Sequence, residues 1–142
     1  MKLKNQLVNK ELSIELDKLG AKEQSVYWHK IPNKKCRNGS IASIVEYREE
    51  SKWFDYYRAY TVAELLDILR DNVLSFELYC ADKNKWTVDT RTHECECKKC
   101  KEELKKNPEY ASYTWEIEEG KSPVEVLAKL LIKLLKSNLI KI

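Results

Sequence analysis

The sequence predicts a single α+β domain in which a mostly antiparallel sheet is packed by two or three helices. The chain has 142 residues, a length typical of one domain. Capped segments with apolar residues at helical spacing alternate with short aromatic and β-branched segments. Only three Gly and three Pro residues occur, which argues against long flexible linkers. Residues 91–110 do not follow this alternation and are predicted to form a Cys-rich excursion with a short helix.

The first helix is predicted over residues 10–19. Leu12 and Leu16 lie on one face at the 3.6-residue spacing of a helix. Asn9 is the predicted N-cap, because its side chain can accept from a free backbone amide of the first turn. Gly20 is expected to end the helix in the left-handed conformation.

Two further helices are predicted to begin at capping boxes, in which a hydroxyl and a carboxylate three residues apart each accept from the other's backbone amide. Thr61 and Glu64 form the first box, and that helix is expected to run to about residue 69. Ser122 and Glu125 form the second, before a helix to about residue 137 whose apolar arc is wide. Such an arc predicts packing across a sheet and fits a homodimer equally well.

Aromatic and β-branched residues, in places alternating with polar ones, predict the strands. Turn residues such as those at 82–85 separate them and predict a hairpin between the fourth and fifth strands. The predicted strands are residues 25–31, 41–48, 53–60, 74–80, 86–89 and 113–118.

The composition limits the classes of partner and the compartment. The net charge of +3, from 26 basic and 23 acidic side chains, is too balanced to indicate nucleic acid by itself. The basic N-terminus lacks a following apolar stretch, and the most apolar segment, residues 124–135, contains three charges. We therefore expect no secretory signal and no membrane partner. The odd number of cysteines favours a cytoplasmic protein with reduced thiols.

The cluster of soft metal ligands at residues 93–100 predicts a structural zinc site. Cys97 and Cys100 have the C-x-x-C spacing that places two sulfurs on one ion, but zinc sites usually join two distant ligand pairs. The alternative is a solvated loop with free thiols. The candidate zinc ligands are His93, Cys95, Cys97 and Cys100, with Cys80, Cys36 or His29 to complete the set.

A basic turn after the first strand is the candidate nucleic-acid site. Lys30, Lys34, Lys35 and Arg37 lie next to Tyr27 and Trp28. Further along the chain, Lys52 and Arg58 are interleaved with Trp53, Phe54, Tyr56 and Tyr57. Basic side chains bind phosphates and aromatic rings stack on bases, so this combination suits single strands. The alternative is that the aromatic residue packs in the core and the charges face water.

No enzyme motif is present: the sequence has neither a Ser-His-Asp nor a Cys-His signature, and no phosphate-binding or dinucleotide-binding glycine motif. We therefore expect a protein that is not an enzyme. The remote alternative is a metal-dependent nuclease, in which Asp89 and Glu119 would hold Mg²⁺ beside Lys121.

Three stretches resemble a family of small phage- and prophage-encoded proteins of gut Bacteroidales. They are residues 12–28, which include "LGAKEQSVYW", residues 60–69, "YTVAELLDIL", and the closing segment from Gly120 to Ile140. These residues form caps and core, so the resemblance implies a shared fold and supplies no site residue. It also implies an accessory or host-antagonist role.

Together these observations predict a non-enzymatic binding protein that acts by contact with a host or phage protein. Inhibition of a host-defence factor is one concrete form of this prediction. The alternative is a zinc-stabilised nucleic-acid-binding module. Either a monomer or a homodimer is consistent with the sequence.

Overall fold

The computed structural model describes residues 2–36, 39–73, 75–91, 98–106 and 115–142. These residues form a small α+β domain with two three-stranded antiparallel sheets, which confirms the predicted fold class. In chain order the elements are a 3-10 turn (Leu3–Asn5), α1 (Lys10–Lys18), β1 (Trp28–Pro32), β2 (Ser43–Val45), β3 (Phe54–Arg58), α2 (Val62–Asn72), β4 (Ser75–Asp82), β5 (Lys85–Arg91), α3 (Lys98–Lys106), β6 (Trp115–Gly120) and α4 (Pro123–Lys136).

The strands form two sheets where the sequence predicted one. Sheet 1 has the order β2-β1-β3, and sheet 2 is the meander β4-β5-β6. Each strand pairs with strands that are close to it in the sequence, and α2 separates the two sets. The alternation of apolar and polar residues identifies a strand but not its hydrogen-bonding partner, and this is why the division was missed.

The ends of α1 follow the prediction. Asn9 Oδ1 accepts from the Leu12 amide at 2.9 Å. Gly20 has φ of +90°, and the amides of Gly20 and Ala21 donate to carbonyls of the last helical turn at 3.1 and 3.0 Å. This is the Schellman arrangement, which satisfies carbonyl groups that a helix end leaves free.

The capping box of α2 is confirmed, and it does more than cap. Glu64 Oε2 accepts from the Thr61 amide at 2.7 Å, and the Glu64 amide donates to Thr61 Oγ1 at 3.2 Å. The other carboxylate oxygen accepts from the Val26 amide at 2.9 Å. Because Val26 is bound to α2, β1 begins at Trp28 and not at residue 25 as predicted.

The predicted capping box of α4 is half wrong. Ser122 Oγ accepts from the Glu125 amide at 3.2 Å, and Pro123 opens the helix. The Glu125 carboxylate, however, accepts from the Lys121 amide at 2.9 Å, one residue before the N-cap. The helix is therefore capped by the same two side chains, but with a different acceptor geometry from the reciprocal box.

The hydrophobic core lies around α4, which contacts α1, α2, β5 and β6. Its wide apolar arc is buried within the chain, as predicted for a helix packed across a sheet. Val88 of β5 is fully buried beneath it. The buried residues of α4 are Val124, Val126, Leu127, Ala128, Leu130, Leu131, Ile132 and Leu134.

The predicted hairpin of β4 and β5 is confirmed, and Cys80 pairs with Trp86 across it. Of the predicted excursion, the structure describes α3, between β5 and β6 in the sequence. Leu74 and the remainder of the excursion, residues 92–97 and 107–110, lie outside the described residues, as do the first residues of the last predicted strand. None of the described helices is both long and apolar enough to cross a lipid bilayer.

Candidate functional site

Sheet 1 lies beside the core and does not join it. Every residue of β1, β2 and β3 is either half-buried or exposed. Among the described residues, the buried core cluster draws instead on the helices, on β5 and on the segments that flank them. An antiparallel sheet normally buries one face completely, so sheet 1 has surface that the rest of the chain leaves partly uncovered.

One face of sheet 1 is aromatic and basic. The register pairs Trp28 with Arg58 and Lys30 with Tyr56, and side chains two residues apart in a strand share a face. Phe54 therefore lies on the same face as Tyr56. We call these five residues the aromatic face: Trp28, Lys30, Phe54, Tyr56 and Arg58.

Cations of the chain already lie over the rings of the aromatic face. Lys30 Nζ is 4.4 Å from the centroid of the Phe54 ring. The guanidinium carbons of Arg58 and Arg48 are 4.8 and 5.9 Å from the Trp28 ring. The negative face of an aromatic ring attracts a cation at these distances, so the rings and the basic side chains hold one another in place.

Two contacts attach sheet 1 to the preceding part of the chain. Arg58 Nη1 lies 3.5 Å from Asp17 Oδ1 of α1, and both side chains are largely shielded from water. His29 Nε2 lies 2.6 Å from the Val8 carbonyl oxygen. Because a carbonyl oxygen only accepts, His29 Nε2 is the protonated nitrogen and donates this bond.

A groove of about 680 Å³ runs along β3, between α1 and the connection that leads into β3. Its lining holds four carboxylates but only two cations, and three aromatic rings complete it. The lining residues are Asp17, Arg48, Glu49, Glu50, Ser51, Lys52, Phe54, Asp55, Tyr56 and Tyr57.

A second hollow of about 320 Å³ adjoins this groove and shares Glu49 and Tyr56 with it. It adds Glu46 and Tyr47 to the surface. Within the part of the chain that the structure describes, the carboxylates of Glu46, Glu49 and Glu50 form neither ion pairs nor hydrogen bonds.

The negative charges of the groove affect the pKa of Tyr57, which lies in its lining. Burial raises the pKa of the Tyr57 hydroxyl, and the negative charges of Asp55 and Asp17 raise it further. A nearby negative charge opposes ionisation of a phenol for the same reason that it attracts a cation. Asp55 has only a long contact of 3.5 Å with the Asn33 side-chain amide.

Large apolar side chains stand exposed around sheet 1. Tyr47 is 67% exposed and Trp53 is 54% exposed, and both lie in the connection between β2 and β3. Ile41, just before β2, is 83% exposed. Single exposed apolar residues are ordinary, but here they adjoin a sheet that the core does not cover.

The structure brings together only part of the predicted nucleic-acid set. Trp28, Lys30, Phe54, Tyr56 and Arg58 share the aromatic face, but the basic turn lies away from Trp28. Lys34 and Lys35 are exposed in the turn after β1, whereas Trp28 is the first residue of that strand. The four residue steps along β1 correspond to about 13 Å at roughly 3.3 Å per residue. Arg37 lies outside the described residues.

Most of the predicted zinc ligands lie where the structure gives no side-chain description. His93, Cys95 and Cys97 are outside the described residues, and for Cys100 only its place in α3 is described. Cys36 follows β1, and Cys80 lies on β4, where its sulfur donates to the Asp82 carbonyl at 2.8 Å. Among the described side chains, no three His, Cys, Asp or Glu residues converge as metal ligands would. The zinc site stays a prediction.

The residues of the nuclease alternative lie near one another without forming a metal site. Asp89 and Glu119 share a face of sheet 2, since Thr87 pairs with Glu119 and lies two residues from Asp89. Lys85 Nζ lies 3.2 Å from the Glu119 carboxylate and neutralises it. The backbone amide of Lys121 donates to the Glu125 carboxylate at the start of α4.

Sequence reasoning missed the carboxylates of the groove. Glu49 and Glu50 lie between two predicted strands, and Asp17 lies within the first predicted helix, and none of the three was predicted to belong to a site. Four acidic and five aromatic residues lie within the twelve residues from Glu46 to Tyr57, and this density was a usable signal. The contribution of α1 had no local signal, because Asp17 is about forty residues away from the strand that it meets.

No protein-family model, no curated protein and no solved structure matches the chain. The function is therefore inferred from the contacts, exposure and charge of sheet 1.

Proposed function

We propose that this is a binding protein that acts by protein–protein contact through sheet 1. One observation carries the proposal: sheet 1 stays half-buried outside the core, and Tyr47 and Trp53 project beside it. Tyrosine, tryptophan and arginine are enriched at protein interfaces, because each combines a large contact area with a polar group. Covering this surface with a partner would complete the burial that the chain itself leaves unfinished.

The same surface supports a protein partner over a single-stranded nucleic acid. Bases bind by stacking on free aromatic rings. Here Lys30 lies over Phe54, and two guanidinium groups lie over Trp28. The unpaired carboxylates beside these rings would also repel phosphates. The zinc-stabilised nucleic-acid module remains the second candidate, because Lys34 and Lys35 are exposed together.

The resemblance to phage- and prophage-encoded proteins supports a host or phage protein as the partner. A host-defence factor that is inhibited by this contact is one concrete form of the proposal. A second copy of the chain is a different occupant of the same surface, and the experiment below separates the two.

Site-specific photocrosslinking tests the proposal. A photoreactive phenylalanine analogue replaces Tyr47 beside sheet 1 or, as the matched control, Tyr79 on sheet 2, which is 47% exposed. In lysate of a Bacteroidales host we expect one stoichiometric protein adduct from position 47 and none from position 79. The adduct should survive nuclease treatment. Equal labelling from both positions, a nuclease-sensitive adduct, or an adduct only with a second copy of the chain would overturn the proposal.

A further inference from the structure

We infer that the groove along β3 takes a basic segment of the partner, with lysine or arginine side chains between its carboxylates and aromatic rings. This inference rests on the proposed function and names the chemistry of the partner at that surface. A partner could contact sheet 1 without placing a basic segment in the groove, so the two proposals can fail separately.

Charge complementarity is the first argument. The groove is lined by four carboxylates and two cations, and only Asp17 among those carboxylates is in an ion pair within the described residues. Among the residues that the structure describes, Glu49 and Glu50 have no partner, and Glu46 lines the second hollow together with Glu49. Unpaired charges of one sign in a concave surface raise the local concentration of the opposite charge and steer its approach.

The rings supply the second argument. A guanidinium or ammonium group gains from lying over a ring as well as from pairing with a carboxylate. The chain itself uses this contact on the same sheet, with Lys30 over Phe54 and Arg58 over Trp28. Tyr47 and Tyr56 border the second hollow with Glu46 and Glu49, and Lys30, the cation in its lining, lies over Phe54. A visiting cation therefore meets both rings and carboxylates.

The size of the groove is the third argument. Its volume of about 680 Å³ lies within the range of roughly 300–1,000 Å³ that is typical of ligand clefts. It is open along its length beside an edge strand, and it adjoins the smaller hollow. These dimensions suit a chain segment with several side chains and not a single small ion.

The test measures binding of labelled peptides to the full chain by fluorescence anisotropy. The probes are ten-residue peptides in which four arginines or four lysines are interspersed with Leu, Ser and Gly, together with a counterpart that carries four glutamates. A ten-nucleotide oligothymidine is the third probe. We expect the basic peptides to bind at least tenfold more tightly than the acidic peptide, and to weaken as salt is raised from 0.05 to 0.5 M.

A double variant, Glu49→Gln with Glu50→Gln, tests the position of binding. Each exposed ion pair contributes a few tenths of a kcal/mol to about 1 kcal/mol, so we expect the basic peptide to bind about three- to tenfold more weakly. The matched control is Glu11→Gln with Glu77→Gln. These two substitutions remove the same amount of charge at exposed positions outside the groove. It should leave the affinity within twofold, and all variants should show the same thermal melt.

Three results would overturn the inference. The first is that the chain binds the basic peptides no more tightly than the acidic peptide. The second is an equal loss of affinity in the groove variant and in its control. The third is tighter binding of the oligonucleotide than of any peptide, with a further gain in the groove variant. If a protein still crosslinks at position 47 in the first case, the proposed function stands and only the basic segment is wrong.

Discussion

Sheet 1 and sheet 2 have the same number of strands and the same antiparallel pairing, but they differ in what covers them. Sheet 2 is packed by α4, and Val88 at its centre is fully buried. Sheet 1 has no strand residue as buried as this, and aromatic side chains stand exposed at its border. Sheet 2 therefore contributes to the core, whereas sheet 1 leaves part of its surface accessible to solvent.

The acidic side chains near the two sheets differ in part in the same way. Lys133 lies 2.9 Å from Glu116, and Lys85 lies 3.2 Å from Glu119, so two of the three carboxylates of β6 are neutralised, whereas Glu118 has no ion pair among the described residues. Beside sheet 1, Glu49 and Glu50 have no such partner among the described residues. A charge that the fold itself does not pair remains free for a partner.

The largest difference in the free energy of unfolding should appear between a truncation in α4, which covers sheet 2, and a truncation beside sheet 1. Leu131→Ala removes a fully buried side chain of α4, and we expect a loss of about 2–5 kcal/mol in the free energy of unfolding because a cavity remains. Tyr47→Ala beside sheet 1 should change it by about 0.5 kcal/mol or less. Urea unfolding followed by circular dichroism measures both. Equal losses would mean that sheet 1 belongs to the core.

A medium loss in the free energy of unfolding is expected for Glu64→Ala. The Glu64 side chain connects the segment before β1 with the start of α2. The Thr61 and Val26 amides would lose their acceptor, at a cost of about 1–2 kcal/mol. Hydrogen exchange should rise at both amides. Asp67→Asn, an exposed change on the same helix, serves as the control. Faster exchange at Thr61 alone would show that the bond to Val26 is not formed in solution.

A smaller effect is expected for the contact that attaches sheet 1 to α1. A double-mutant cycle with Asp17→Ala and Arg58→Ala should give a coupling of about 0.5–1 kcal/mol, since both groups are partly shielded from water. The control is Asp67 with Arg70, which are closer at 2.9 Å but about two-thirds exposed, and whose coupling should be smaller. A larger coupling in the control would mean that distance and not burial decides the strength of these pairs.

A smaller effect still is expected from the pH dependence of the α4 cap. The hydrogen bond from Lys129 is the main cause that lowers the pKa of Glu125, and the Lys121 amide adds to it. Because the folded pKa lies below the unfolded one, this stabilisation is present above the unfolded pKa and is lost as the pH falls through the folded value. Thermal melts between pH 2 and pH 7 should therefore be less pH-dependent in Glu125→Gln than in the wild type. Parallel curves would refute the assignment.

The smallest effect on either sheet is expected from metal removal. If the predicted cluster from His93 to Cys100 binds zinc, native mass spectrometry of untagged protein should show one zinc ion per chain. A chelator should then raise hydrogen exchange between β5 and β6 and leave the protection of sheets 1 and 2 unchanged. A bare polypeptide mass would make these cysteines ordinary thiols.

The difference between the two sheets was only partly readable in the sequence. The hairpin of β4 and β5 was predicted because its turn and its alternating residues are contiguous. The presence of strands around Trp28 and Phe54 was predicted for the same reason. That α4 would cover one sheet and leave the other half-buried depends on packing between segments that are far apart in the chain, and alternation carries no information about it.

The sequence by itself determined the helix ends and the order of helices and strands. Asn9, Gly20 and the Thr61–Glu64 box act through hydrogen bonds between residues at most five apart, so the local sequence specifies them. Only the tertiary structure decided that the strands form two sheets, and that Asp17 meets β3 to line a groove beside Glu49 and Glu50, which have no ion pair within the described part of the chain. Such features depend on which distant segments pack together, because burial and charge pairing are properties of the whole fold and not of any one segment.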